Sequence, residues 1–273
     1  MRLTLFPEFY MNDRASTYST ELIKVSGLIS ESIELLRIWT PGMRSSQLRD
    51  AALREGTLAK ESSDRVWVIA RYGFGLRYLG EGQRPARLLK RLVERGAPVA
   101  LLRQLFSVYT ARINGLFADV AGDYYWELNA RGAHELTSEI LEKFIRSKFG
   151  SDKVPQQWSD GGTKRVASGL LKTLVDFGYA AQGRDITRSM TPPRILPETV
   201  SFIAYEARER GIPDASVATD RAYSLFGLSP RTALEELLRL SGQNGLIVQS
   251  AGDLVRISYK YETMEDFLDA LVK

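Results

Sequence analysis

The chain has 273 residues, 44% hydrophobic and 26% charged, with a formal net charge of +4, an ordinary composition for a globular protein with one large core or two moderate ones. It has no cysteine, which excludes disulfide scaffolds, thiol catalysis and cysteine-held zinc or iron-sulfur centres. No apolar run approaches the roughly 20 residues of a spanning helix, and the opening MRLTLFPEFYMNDR lacks the apolar core of a signal peptide, so the sequence predicts a cytoplasmic protein with no membrane contact.

Apolar residues at helical spacing predict a helix over residues 18–39, YSTELIKVSGLISESIELLRIW, ending before Pro41 and Gly42, and a second over about 45–53. Ser62 is placed to cap a helix over 62–79, which Gly73 and Gly75 weaken as a single straight element. After the turn GEGQRP come helices over 86–95 and about 98–120, separated by Gly96, and a further one over 133–149. The run GSDKVPQQWSDGG, residues 150–162, is the clearest break in the chain. A proline-rich connector over 191–197 leads to a helix over about 198–210; strands over 246–249 and 254–259 turn through Gly252 and Asp253, and a helix over 264–272 follows.

One pattern occurs twice: a basic-started amphipathic helix, a glycine stop and an apolar stretch that turns back. The copies are TKRVASGLLKTLVDFGYAAQGRDITRS from Thr163 and PRTALEELLRLSGQNGLIVQSAGDLVRIS from Pro230. At an offset of 67 residues Lys164 aligns with Arg231, Leu170 with Leu237, Lys172 with Arg239 and Gly178 with Gly245. The order of helix, stop and hairpin is that of the second half of a winged helix-turn-helix. The expected fold is mainly α: a helical N-terminal domain over 1–155, then winged-helix-like modules with small β wings over 156–194 and 195–273.

Charge is distributed in blocks, +7 over residues 60–112, –3 over 113–160, +4 over 161–194 and –4 over 195–273, and 27 of the 37 basic residues are arginine. Codon bias accounts for an arginine excess as readily as phosphate binding does, so the pattern matters more than the count. In the first copy Lys164, Arg165, Ser168 and Lys172 share one helix face, while Val166, Ala167, Leu170, Leu171, Leu174 and Phe177 lie mostly on the other. Cations in a first helical turn oppose the helix dipole, and a docked polyanion reverses that penalty. A solvated face on a structural helix is the alternative. Upstream, Arg84, Arg87, Arg91 and Arg95 fall into one stripe suited to tracking phosphates, with Glu94 the only nearby countercharge and pointing elsewhere. In the second copy an Arg231, Glu235, Arg239 ladder, with Glu236 also exposed, neutralises the helix locally, which suits a scaffold or protein contact.

Signatures of catalysis are poor. The single histidine, His134, has no partner histidine or cysteine, and a surface or capping role is expected. SDGGTK lacks the spacing of a phosphate loop, and the Gly73-Phe74-Gly75 stretch fails the dinucleotide pattern because Tyr78 stands at its third glycine. No enzyme activity, cofactor or metal is expected.

The segments YSTELIKVSGLISESIELLRIW, ESSDRVWVIARY, PVALLRQLFSVYTARINGLFADV and WSDGGTKRVASGLLKTLVDFGY together resemble the BrxA family of BREX bacteriophage-resistance systems, over roughly residues 18–180. That resemblance implies a small non-enzymatic DNA-binding component, encoded beside a methyltransferase, a phosphatase-like protein and an ATPase. Part of the family is also similar to the helical RNA-binding factor NusB. The expected partners are double-stranded DNA and other BREX components. An adaptor that docks proteins through its acidic C-terminal module, and an RNA binder, are the alternatives.

Overall fold

The apolar run after Tyr18 does not form one helix. In the computed structural model, which describes residues 18–154, 156–183, 186–252 and 254–272, it gives a 3-10 turn at Glu21–Ile23, an irregular stretch and then α1 (Ile29–Ile38). Leu28 makes the break with a left-handed φ of 54°. The cause is tertiary. The Gly27 N–H donates to Asp176 Oδ2 at 2.9 Å, and the buried Arg77 guanidinium donates to the Ser26 and Gly27 carbonyls at 2.6 and 2.9 Å. Backbone groups that a continuous helix would use are therefore held by distant residues.

α2 (Ser45–Glu55) ends at Gly56, in the left-handed region. α3 (Ser63–Val68) is capped by Ser62, whose Oγ accepts the Arg65 N–H, and continues through a π-helical stretch, Ile69–Gly75, into a last α turn at Leu76–Tyr78. The two glycines let neighbours close on this π stretch: a Cβ on Gly73 would collide with Leu28, and one on Gly75 with Ser45. α4 (Arg84–Glu94) and α5 (Val99–Ile113) follow. The helix expected over 98–120 is split at Asn114, which is extended and caps α6 (Gly115–Asp119) by accepting the Phe117 N–H at 2.9 Å. A second π stretch, Val120–Tyr124, leads into α7 (Tyr125–Ala130).

The helix expected from 133 starts later, because Glu135–Leu136 form strand β1 and Thr137 caps α8 (Ser138–Ser147). Next is α9 (Asp160–Asp176), capped by Ser159 and stopped before Gly178 at φ 87°. β2 (Arg188–Ser189) pairs antiparallel with β1, Leu136 opposite Arg188, while Ala180 bridges Met190 on the other edge. The first copy's hairpin is thus a short bridge whose return strand also pairs with residues before α8; Arg184 and Asp185, within its turn, lie outside the described residues.

α10 (Pro197–Glu209), α11 (Asp214–Val217), a 3-10 turn at Arg221–Phe226 and α12 (Pro230–Arg239) precede a regular hairpin of β3 (Leu246–Ala251) and β4 (Leu254–Tyr259), with Leu246 opposite Tyr259 and Ala251 opposite Leu254. α13 (Met264–Leu271) follows. Asp253, in the hairpin turn, lies outside the described residues. The fold is mainly α with two small antiparallel sheets. One buried apolar cluster runs through it from Tyr18 to Leu268.

Two ionic knots tie early helices to late ones. Asp119 of α6 pairs with Lys153 and Arg221 and accepts the Tyr18 hydroxyl at 2.8 Å. Burial pushes its carboxyl up, but those three hydrogen bonds outweigh it and hold Asp119 below the usual carboxylate range. Glu206 of α10, also buried, pairs with Arg112 and accepts the Tyr109 hydroxyl at 3.0 Å.

Candidate nucleic-acid interface

The apolar spacing of α9 turns one face inward, and Val166, Ala167, Leu170 and Leu174 are fully buried. Lys164, Arg165, Ser168 and Lys172 are all exposed on the remaining face, as the sequence predicts. Arg165 Nε donates to the Gly161 carbonyl at 3.1 Å, which lays its stem along the first turn. Among the described residues Lys164, Arg165 and Lys172 form no ion pair with a carboxylate. Asp160, the acidic residue in the same first turn, is taken by Arg146 of α8 at 2.8 Å.

These four residues border a shallow depression of about 420 Å³ whose other walls are Ile23 and Gly169. Gly169 is required there: a Cβ would lie 2.7 Å from the carbonyl carbon of Leu22 and closer still to its oxygen. Without a side chain at 169, the 3-10 turn packs directly on α9 and brings Ile23 to the edge of the basic row. Neither residue was singled out by sequence reasoning. A glycine inside an otherwise regular amphipathic helix was the available signal.

The α4 stripe is arranged differently from the expectation. Arg84 pairs with Glu209 of α10, and Arg91 and Arg95 both pair with Asp269 of α13, at 2.6 and 2.7 Å. The countercharges are thus Glu209 and Asp269, brought in by the fold, while Glu94 pairs with Lys90 at 3.0 Å. Arg87 is exposed. α4 packs against α1, α5 and α13, whereas α9 packs chiefly against α8 and the 3-10 turn, so the two basic sets have different main neighbours.

In the second copy Arg231 pairs with Glu235 at 3.0 Å, but Arg239 pairs with the half-buried Glu236 at 2.5 Å, so two separate pairs replace the continuous ladder. His134 is exposed and stands before β1 rather than at a helix start, its carbonyl accepting the Met190 N–H at 2.8 Å. No helix among the described residues is long and apolar enough to cross a membrane.

Comparison with known proteins agrees with the resemblance drawn from the early helices and extends it past α9 into α10. No curated protein matches the chain. A crystal structure of an uncharacterized protein from Magnetospirillum magneticum is similar over 77% of this chain and 97% of that one, with a TM-score of 0.53 and 16% identity, which shows a shared fold. The BrxA family model matches residues 16–207, well over half of the sequence, and the chain therefore belongs to the BrxA family.

Proposed function

We propose that this protein is a non-enzymatic, duplex-DNA-binding component of a BREX phage-defence system, and that α9 is the helix that enters the groove. Family membership carries the phage-defence role. The observation that carries DNA binding is the exposed row of Lys164, Arg165, Ser168 and Lys172, without carboxylate partners among the described residues, on a helix with a particular neighbourhood. α7, β1, α8, α9, the segment at Ala180 and β2 follow one another in the order of a winged helix, with the return strand between the other two. In that layout the last helix presents polar side chains to base edges and phosphates.

The α4 arginines take a different role in this reading. Arg84, Arg91 and Arg95 clasp α10 and α13 to the N-terminal helices, and phosphate contact from that stripe falls to Arg87. A gel shift on unrelated duplexes tests the proposal: retardation at low salt that weakens steeply with added salt is expected, and no binding at low salt refutes it. The second reading, an adaptor that docks other BREX components, is favoured at the C-terminal module, where α12 is locally neutralised and the hairpin exposes Ile247 and Leu254. A pull-down with and without nuclease separates protein contact from bridging by nucleic acid.

A further inference from the structure

The basic row on α9 does not end at Lys172. Ile23 lines the same depression, and the next residue, Lys24, holds its Nζ 3.9 Å from the centre of the Tyr72 ring. Beside Tyr72 stands Arg71, whose guanidinium carbon is 5.6 Å from that ring and 5.4 Å from the ring of Trp67. Arg49 approaches Trp67 as well, at 5.6 Å. Arg65 fastens this ridge to the 3-10 turn by donating to the Lys24 carbonyl at 2.6 Å. A chain of touching residues therefore leads from the α9 face across the turn to α3.

The local helix geometry builds the ridge. Arg71 and Tyr72 lie in the π-helical stretch that follows Trp67 of α3, and such π stretches are frequent at functional sites. Lys24 and Arg71 are exposed, and among the described residues neither forms an ion pair, while Arg49 and Arg65 are paired with Asp50 and Glu61. The rings restrict the cations lying over them, which lowers the entropy cost of fixing them on a ligand. Cations lie against both rings, so the ridge suits phosphate oxygens better than stacked bases.

Resting on the reading of α9 as the groove helix, we infer that the Lys24, Tyr72, Arg71 and Trp67 ridge is a second phosphate-contact surface, holding the backbone of the same duplex where it runs beyond α9. Its contribution is independent of base sequence.

The test is duplex affinity of the full chain as a function of salt, on a long duplex of about three helical turns (~10 bp per turn) that can span both surfaces. Lys24→Ala with Arg71→Ala removes two phosphate contacts, so on the long duplex the salt slope should fall by about 1.8 and the affinity lost between 50 and 200 mM salt should shrink roughly 12-fold. Arg71→Lys with Lys24 intact should keep most of the long-duplex slope. An unchanged slope on the long duplex, while Lys164→Ala with Arg165→Ala and Lys172→Ala lowers it, overturns the ridge and leaves the α9 reading standing. If both variants keep the slope of a binding wild type, both ideas fall. If wild type does not bind at low salt, the α9 reading fails and takes the ridge with it. Thermal unfolding of each variant checks that it is folded.

Discussion

Gly169→Ala sets two physical effects against each other with opposite signs. In an exposed helix interior, glycine to alanine stabilises by about 1 kcal/mol through backbone propensity. At Gly169 the new methyl would sit 2.7 Å from the Leu22 carbonyl carbon, inside the range that real side chains avoid, and the obstacle is backbone rather than a flexible side-chain end. Overpacking of this kind costs about 1–3 kcal/mol, and an immovable neighbour puts the cost near the top of that range. The net loss is about 2 kcal/mol, or a fall in Tm of roughly 4–8 °C for a protein of this size. Gly161, in the first turn of the same helix, is the internal control, since nothing lies within 4 Å of a Cβ there. Gly161→Ala should leave Tm unchanged or raise it by up to about 3 °C. Thermal melts followed by circular dichroism measure both. If Gly169→Ala stabilises as Gly161→Ala does, the segment Leu22–Ile23 does not lie on α9 and the shape assigned to the basic face is wrong.

Three further outcomes follow from the same geometry. The Asp119 carboxyl is held below its ordinary value, so its stabilising effect is complete above the unfolded carboxylate pKa of about 4 and is lost as pH falls from there through the folded value. Urea unfolding should show that acid loss in wild type and a flatter profile in Asp119→Asn, which at neutral pH should cost about 1.5–3 kcal/mol, toward the lower end because Lys153 and Arg221 are partly exposed; an unchanged acid profile would count against the knot. Gly245→Ala places a methyl at φ 72° and 2.8 Å from the Tyr205 hydroxyl, so it should destabilise by about 2–4 kcal/mol in chemical denaturation, and a neutral result would contradict the packing of the second copy's turn. Asp269→Asn should lower Tm more at low salt than at high salt, because screening already weakens a pair near the surface, and a salt-independent difference would argue against an electrostatic clasp.

The short-range features of the fold were legible. α10, α12, α13 and the β3–β4 hairpin announce themselves through periodicity, Ser or Thr caps at α12 and α13, and turn residues, all within windows of about a dozen residues. The α9 face was readable for the same reason. What escaped was set by partners far along the chain. Residues 18–39 have a helical pattern, but Asp176 and Arg77 claim the backbone around Gly27. The α4 stripe looks open in sequence because its countercharges, Glu209 and Asp269, are more than a hundred residues away. Arg71 and Lys24 carry no local sign of meeting, since a helical pattern read over 62–79 does not reveal the π turn that sets Tyr72 between them.

The most direct test of the central claim is the salt dependence of duplex affinity for wild type and for Lys164→Ala with Arg165→Ala and Lys172→Ala, with Arg231→Ala and Arg239→Ala as the matched pair in the second copy. Loss of three phosphate contacts should lower the slope by about 2.7 and shrink the affinity lost between 50 and 200 mM salt by roughly 40-fold, for every duplex sequence tried. The second-copy variant, whose arginines are already paired with Glu235 and Glu236, should follow the wild-type line. A triple variant that keeps the wild-type slope, or a second-copy variant that loses it, would contradict the assignment of α9 as the DNA-contacting helix.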